Sequence, residues 1–344
     1  MEPMRILHIV DSLDFHSGAR QLQLLGPELA KVGLVEVCCI GQETATSQAL
    51  RHAGIVVHTL GWSRWFDPSV YWNLRDVVRQ ISPDVVHVWR LPALRALALA
   101  DRSMLGRVVL SRVATGPLAW WDRWLVKQVR SVAVGGASDR AGHAESGIVS
   151  TQIPLATADT AAAPTRSRTI VCIGKLIRAE GIRHAIWAFD FLRYCFPDAR
   201  LRIVGSGEES STLRALVDGL DLNDRVTFVG NCARLDDELA KAPVVWLPRQ
   251  NHSGRQAALD AMAAGCVVVG SDIPCLRDVV CDGETGFLVE RNDIVQMARR
   301  TYSLFNADTL CARIGAAAKD HVARFHFVPQ AVAAWRNLYD RIAA

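Results

Sequence analysis

The sequence predicts an α/β protein made of two doubly wound parallel-sheet domains. Short apolar strands alternate with stretches of helical periodicity from Arg5 to Val289, a rhythm that needs crossover helices and therefore parallel strands. One aperiodic run rich in Ala, Thr and Pro, QIPLATADTAAAPTRSR (152–168), interrupts it and reads as a linker. The length of 344 residues also exceeds what one core serves, and divides into two domains of about 150–170 residues.

The elements follow in order. RILHIV (5–10) is a β-rich run, DSLDFHSG a polar loop, and 19–32 an amphipathic helix, which together open a βα unit. Strands are expected at 35–41 and 55–60 with a short helix at 47–53 between them, then a helix at 71–81 and a buried strand at 83–88. A Leu/Ala/Arg helix (91–102), a strand (107–111), a Trp-rich segment (118–130) and a strand (131–136) complete the first set. The second set places strands at 169–174, 199–205, 225–230, 242–248, 266–271 and 285–289, with helices at 181–196 and 208–220. The tail is helical at 293–305, 310–324 and, after a break at Pro329, 330–342. The expected boundaries are 1–156, a linker at 157–168, 169–325, and a C-terminal helix within 326–344.

Composition narrows the class. Half the residues are hydrophobic and 22% charged, as in a globular protein, and the net charge of +4 comes with no basic module, so nucleic acid is not an expected partner. Nine cysteines without CxxC pairs or a metal-ligand spacing, most of them inside apolar runs, predict mostly buried thiols in a reducing cytoplasm and no metal site. The apolar run near the amino terminus is too short for a signal peptide or a membrane span, so a soluble or peripheral protein is expected.

The chemistry is expected around PRQNHSGRQAALDAMAAGCVVVGSD (248–272): a polar loop, a helix opening near Arg255, a stop at Gly265 and a buried strand. In an open parallel sheet such a loop faces the ligand crevice, and the helix amino terminus favours anionic groups. A phosphate-bearing ligand is therefore expected there.

The motifs IGKLIRAEGI (173–182), PDARLRIVGSGEE (197–209), DRVTFVGN (224–231), ALDAMAAGCVVVGSDI (258–273) and DGETGFLV (282–289) resemble those of the GT-B glycosyltransferases of the large retaining group called family 4, or glycosyl transferases group 1. SGARQLQLLGPELAKVG (17–33), PDVVHV (83–88) and IPLATAD (153–159) extend the likeness through the first half. The resemblance implies two Rossmann-like domains facing a cleft, a C-terminal helix crossing back to the first domain, and transfer of a hexosyl group from a UDP-, GDP- or ADP-sugar with retention and without an obligatory metal or other cofactor. The acceptor would be a glycan or lipid-linked group of cell-envelope polysaccharide synthesis.

It also implies roles for particular residues, because the leaving diphosphate needs cations and N–H donors around it. Lys175 stands where the family carries a phosphate-binding Arg, while Glu180 stands where it carries a Lys, with Arg178 near enough to serve instead. Gly205, Ser206 and Gly207 form the loop that borders the donor, with Asn231 beside it, and Gly18 belongs to the small-residue loop that closes on the phosphates, with His16 adjacent. In the family's ExxxxxxxE motif, Asp260 replaces the ribose-binding acid and His252 the sugar-binding acid; Ser253, Gly254 and Arg255 follow in the same loop. His87 matches a family histidine that contacts the sugar, although a lone His in an apolar strand is also the pattern of a core residue, and Trp89 departs from the family's second His. The candidate catalytic residues are His87 and His252.

Trp120, Trp121 and Trp124, interspersed with Arg123, Lys127 and Arg130, make either a helix of which one or two indoles pack on the sheet while the basic residues face water, or a surface for an anionic membrane, which would place the protein at the inner membrane face. The substitutions at 89, 180 and 252 keep a second function open, a degenerate GT-B protein that binds nucleotide or glycan without turnover. A nucleotide-sugar epimerase fits the residues less well. Hydride transfer is disfavoured because the first loop has no GxGxxG.

Overall fold

The computed structural model describes residues 3–13, 17–62, 67–111, 119–145, 150–158, 165, 167–232, 235–251 and 253–344. The chain forms two compact units, Met1–Ala156 with Val328–Ala344, and Thr157–Phe327.

The first unit runs β1 (Arg5–Val10), α1 (Ser17–Leu29), β2 (Leu34–Cys39), α2 (Ala45–His52), β3 (Val56–Thr59), α3 (Ser69–Ile81), β4 (Val85–Trp89), α4 (Leu91–Ala100), β5 (Val108–Ser111), α5 (Trp120–Gln128), β6 (Ser131–Val134), α6 (Ala137–Glu145) and β7 (Ser150–Gln152). Its strands are parallel in the order β3-β2-β1-β4-β5-β6-β7. Every residue of β4, VVHVW, is buried, because helices cover both faces of a central parallel strand. On α3, Val70, Leu74, Val78 and Ile81 form the buried stripe, and the helix ends at Ser82 in the left-handed region before Pro83.

The second unit runs β8 (Thr169–Ile173), α7 (Ile182–Cys195), β9 (Arg200–Val204), α8 (Ser210–Gly219), β10 (Val226–Gly230), α9 (Leu235–Leu239), β11 (Val244–Leu247), α10 (Arg255–Ala263), β12 (Val267–Ser271), α11 (Pro274–Arg277), β13 (Gly286–Val289), α12 (Ile294–Asn306) and α13 (Asp308–Phe325). Its parallel order is β10-β9-β8-β11-β12-β13. The core gathers around Phe189 and Trp246, whose indole N–H is satisfied by Thr301 Oγ1 at 2.8 Å. The last helix, α14 (Val328–Ala343), returns to the first unit, where Ala331, Trp335, Leu338 and Tyr339 pack with Leu25, Val85 and Val109.

Some elements differ from expectation. Helix α6 and strand β7 follow β6 unannounced; STQ has no apolar residue to mark a strand. Pro329 does not break the tail helix but lies in its first turn, where a missing N–H costs nothing. The stretch read as a linker is packed where described: Ile153 and Ala156 are buried in the first unit and Thr157 in the second.

Candidate functional site

In the second sheet the strand order reverses between β8 and β11, so the segments leaving these neighbouring strands sit together at their carboxyl ends, where ligands of such sheets bind. They are residues 174–181 and 248–254, which hold Lys175, Arg178, Ser253 and Gly254 of the expected donor residues. Lys175 and Arg178 are exposed, and neither makes an ion pair among the described residues. Gly254 precedes α10 with φ of 107° and offers no side-chain cap.

Between the two segments lies a group of buried polar contacts. Glu180 pairs with Arg249, each side chain being 6% exposed. Arg249 Nη2 donates to the Ile173 carbonyl at 2.8 Å. Glu180 Oε1 accepts from Asn251 Nδ2 at 3.3 Å and lies 3.0 Å from Ser253 Oγ. Burial lowers the Arg249 pKa to about 10, so the guanidinium keeps its charge at neutral pH. Arg249 was not an expected site residue; the signal available was Glu180 itself, since an acid beside an apolar strand needs a nearby cation.

The other expected donor residues fall close by, with their polar atoms engaged inside the unit. Arg255 is 4% exposed and pairs with Asp278, so its charge is balanced locally. Asp260, on α10, accepts from Thr157 Oγ1 at 2.8 Å and Gln256 Nε2 at 3.0 Å. A Cβ on Gly205 would stand 1.9 Å from the Gly174 carbonyl oxygen, and one on Gly207 2.5 Å from that of Leu176. These glycines therefore admit the neighbouring turn, a backbone rather than a ligand. Ser206 Oγ donates to Asn231 Oδ1 at 3.0 Å, joining the ends of β9 and β10. His252 lies outside the described residues.

In the first unit the order reverses between β1 and β4. His87 is fully buried on β4; its Nδ1 is 2.7 Å from Tyr339 Oη and its Nε2 2.7 Å from Ser111 Oγ, and its ring stacks on Trp89 with centroids 4.3 Å apart. Both nitrogens are occupied, the geometry of a core histidine, and burial drives its pKa well below the usual value. Gly18 is in the first turn of α1, and His16 lies outside the described residues. Arg90, at the end of β4, has φ 82° and ψ 157° and pairs with Asp11 at 3.1 Å. On α5, Trp120 is 80% exposed, whereas Trp121 and Trp124 are 37% and 40% exposed and keep more than half of their surface covered.

Two parallel-sheet Rossmann-like units of these strand orders define the GT-B class. The fold is shared over 98% of this chain with HepE of Anabaena in complex with UDP and glucose, at a TM-score of 0.84 and 16% identity, covering 99% of that chain. Residues 158–321, nearly the whole of the second unit, match the model of the family described as glycosyl transferases group 1. Among curated relatives, an exopolysaccharide phosphotransferase of Streptomyces coelicolor is 32% identical over 52% of this chain and 19% of its own length. A phosphatidyl-myo-inositol mannosyltransferase of Mycobacterium leprae is 32% identical over 47% of this chain and 44% of its own. The chain thus spans less than half the length of these relatives.

Proposed function

We propose that the protein is a glycosyltransferase that moves a hexosyl group, with retention, from a nucleoside-diphosphate sugar to a glycan or lipid-linked acceptor. The observation that carries this reading is the pair of exposed, acid-free cations Lys175 and Arg178 at the switch point of the family-matched unit, beside the amino end of α10. Cations and N–H dipoles there stabilise the charge that gathers on the diphosphate as the glycosidic bond breaks. The uridine-nucleotide complex of HepE makes UDP-glucose the first donor to try, with GDP- and ADP-sugars next. Calorimetric titration of the three nucleotides, followed by transfer of labelled sugar, tests the reading; no binding by any of them sinks it. Lys175→Ala is expected to weaken nucleotide binding about tenfold, the size of one charge-assisted contact, with the melting temperature unchanged because the side chain is exposed.

The acceptor side is proposed to meet an anionic membrane at its cytoplasmic face through α5. The one acid of that helix, Asp122, is buried against Arg95 at 2.6 Å, so its exposed charges, Arg123 and Lys127, are basic beside the three indoles, with Arg130 following. Co-sedimentation with phosphatidylglycerol but not phosphatidylcholine vesicles, lost in the triple Trp→Ala variant, is the expected result; equal binding to both lipids would refute it. Among the described residues no helix is long and apolar enough to cross a membrane.

A further inference from the structure

We infer that Glu180 and Arg249 form a positioning pair that sets the shape of the 249–254 segment and removes the repulsion an acid at position 180 would otherwise exert on a bound diphosphate. The second half of this inference rests on the donor reading above.

The pair fills the gap between the two segments that leave β8 and β11. A Cβ on Gly174 would lie 2.7 Å from Glu180 Oε2 and 3.2 Å from Arg249 Nη1, and a Cβ on Gly254 3.0 Å from Arg249 Nε. The charged groups therefore pack directly on the backbone of both segments. Arg249 is held to β8 by its bond to the Ile173 carbonyl, and the Gln250 N–H donates to the Ala179 carbonyl at 3.0 Å. Glu180 meets Asn251 and Ser253, the residues on either side of 252. One carboxylate thus fixes three side chains of one short segment.

Stability alone does not explain such a pair. A buried ion pair recovers its desolvation cost only with good geometry, and apolar side chains of equal volume often serve as well. What apolar side chains cannot supply is direction, namely three hydrogen-bonding groups of the segment turned onto one carboxylate. The pair also settles the charge of the site. With Glu180 neutralised at contact by Arg249, and Arg255 by Asp278, the unbalanced charges among the described residues of these segments are those of Lys175 and Arg178.

Three variants test this: Glu180→Gln, Arg249→Met, and the double Glu180→Met/Arg249→Met. In the protein without nucleotide, the expected result is faster hydrogen exchange, about tenfold or more, across 249–254 in Glu180→Gln and in the double variant, with β8 and β11 amides unchanged. The double variant is expected to melt close to wild type. With UDP, GDP and ADP as probes, it is expected to lose about tenfold or more in affinity for whichever nucleotide wild type binds. Arg249→Met, which leaves an unbalanced buried carboxylate, is expected to bind more weakly still. Exchange across 249–254 that matches wild type in Glu180→Gln and the double variant, or undiminished nucleotide affinity in the double variant, would overturn the positioning role; affinity in Arg249→Met no weaker than in the double variant would overturn the electrostatic one. If wild type binds none of the three nucleotides, the donor reading falls, while the exchange experiment still decides the pair. If the double variant does not fold, Glu180→Gln, nearly isosteric, gives the same decision.

Discussion

Backbone strain at a single residue makes the sharpest stability prediction. Arg90 has φ 82° and ψ 157°, a region suited to glycine, at the end of β4 beside Asp11. Holding a side chain there costs about 1–3 kcal/mol, and the half-exposed Arg90–Asp11 pair returns at most about 1 kcal/mol. Arg90→Gly relieves the strain at a cost of about 0.5–1 kcal/mol in unfolded-chain entropy. The variant is expected to be more stable by about 1 kcal/mol in urea unfolding; a loss of stability would mean that the pair outweighs the strain. At this scale the sequence was readable in kind more than in role. Glu180 and Asp260 stood out as departures from a family pattern, yet what they do depends on Arg249 and Thr157, which are 69 and 103 residues away from them in the chain. No periodicity encodes a partner at that separation, so only the folded backbone could reveal that the two acids hold their own unit together.

Between elements, β1, β4 and α14 meet in a cluster that makes the first unit sensitive to acid. His8 on β1 accepts from Trp89 Nε1 at 3.1 Å through Nδ1, and His87 lies 4.9 Å from it with Tyr339 and Trp335 over its ring. Burial lowers the His8 pKa to about 3, and burial together with the charge of His8 lowers that of His87. Both rings are neutral in the fold, whereas in the unfolded chain they take up protons from about pH 6.5 downward. The unfolded state then binds more protons, so stability is full above pH 6.5 and falls as the pH drops toward the folded values. Each ring contributes a loss of about 1.4 kcal/mol per pH unit, or about 2 kcal/mol at pH 5. Urea unfolding at pH 7.5 and 5.0 is expected to show this loss, and His8→Gln, which leaves Trp89 an acceptor, to reduce it by about half; an unchanged slope would mean that His8 is protonated in the fold. Strands and long helices were legible because their apolar patterns are strong, as in VVHVW. The expected helix near Pro329 began two residues early because the pattern marks proline as a breaker without telling a first turn from an interior.

Across the whole molecule, the sheet that α14 completes is made from the opposite end of the chain. The alternation of strands and helices predicts two sheets and a helical tail, but an apolar stripe does not say which sheet it covers; for α14 that followed from the family likeness. Ala331, Trp335, Leu338 and Tyr339 supply the inner face of a core whose other members lie between Ile6 and Ala156, and all four are nearly inaccessible. Removing a buried Trp or Leu side chain alone costs about 2–5 kcal/mol, and a whole domain holds only about 5–15 kcal/mol of stability. A chain ending at Phe327 therefore loses more than the first unit has to spare. The second unit has its own core, from Ile170 to Ile314, with none of its members in α14. Truncation after Phe327 is expected to abolish slow hydrogen exchange in β1, β4 and β5 while β8, β11 and β12 remain protected. Equal loss of protection in both units would show that they unfold as one cooperative block, and retained protection in β1, β4 and β5 would show that α14 is a cover rather than part of the core.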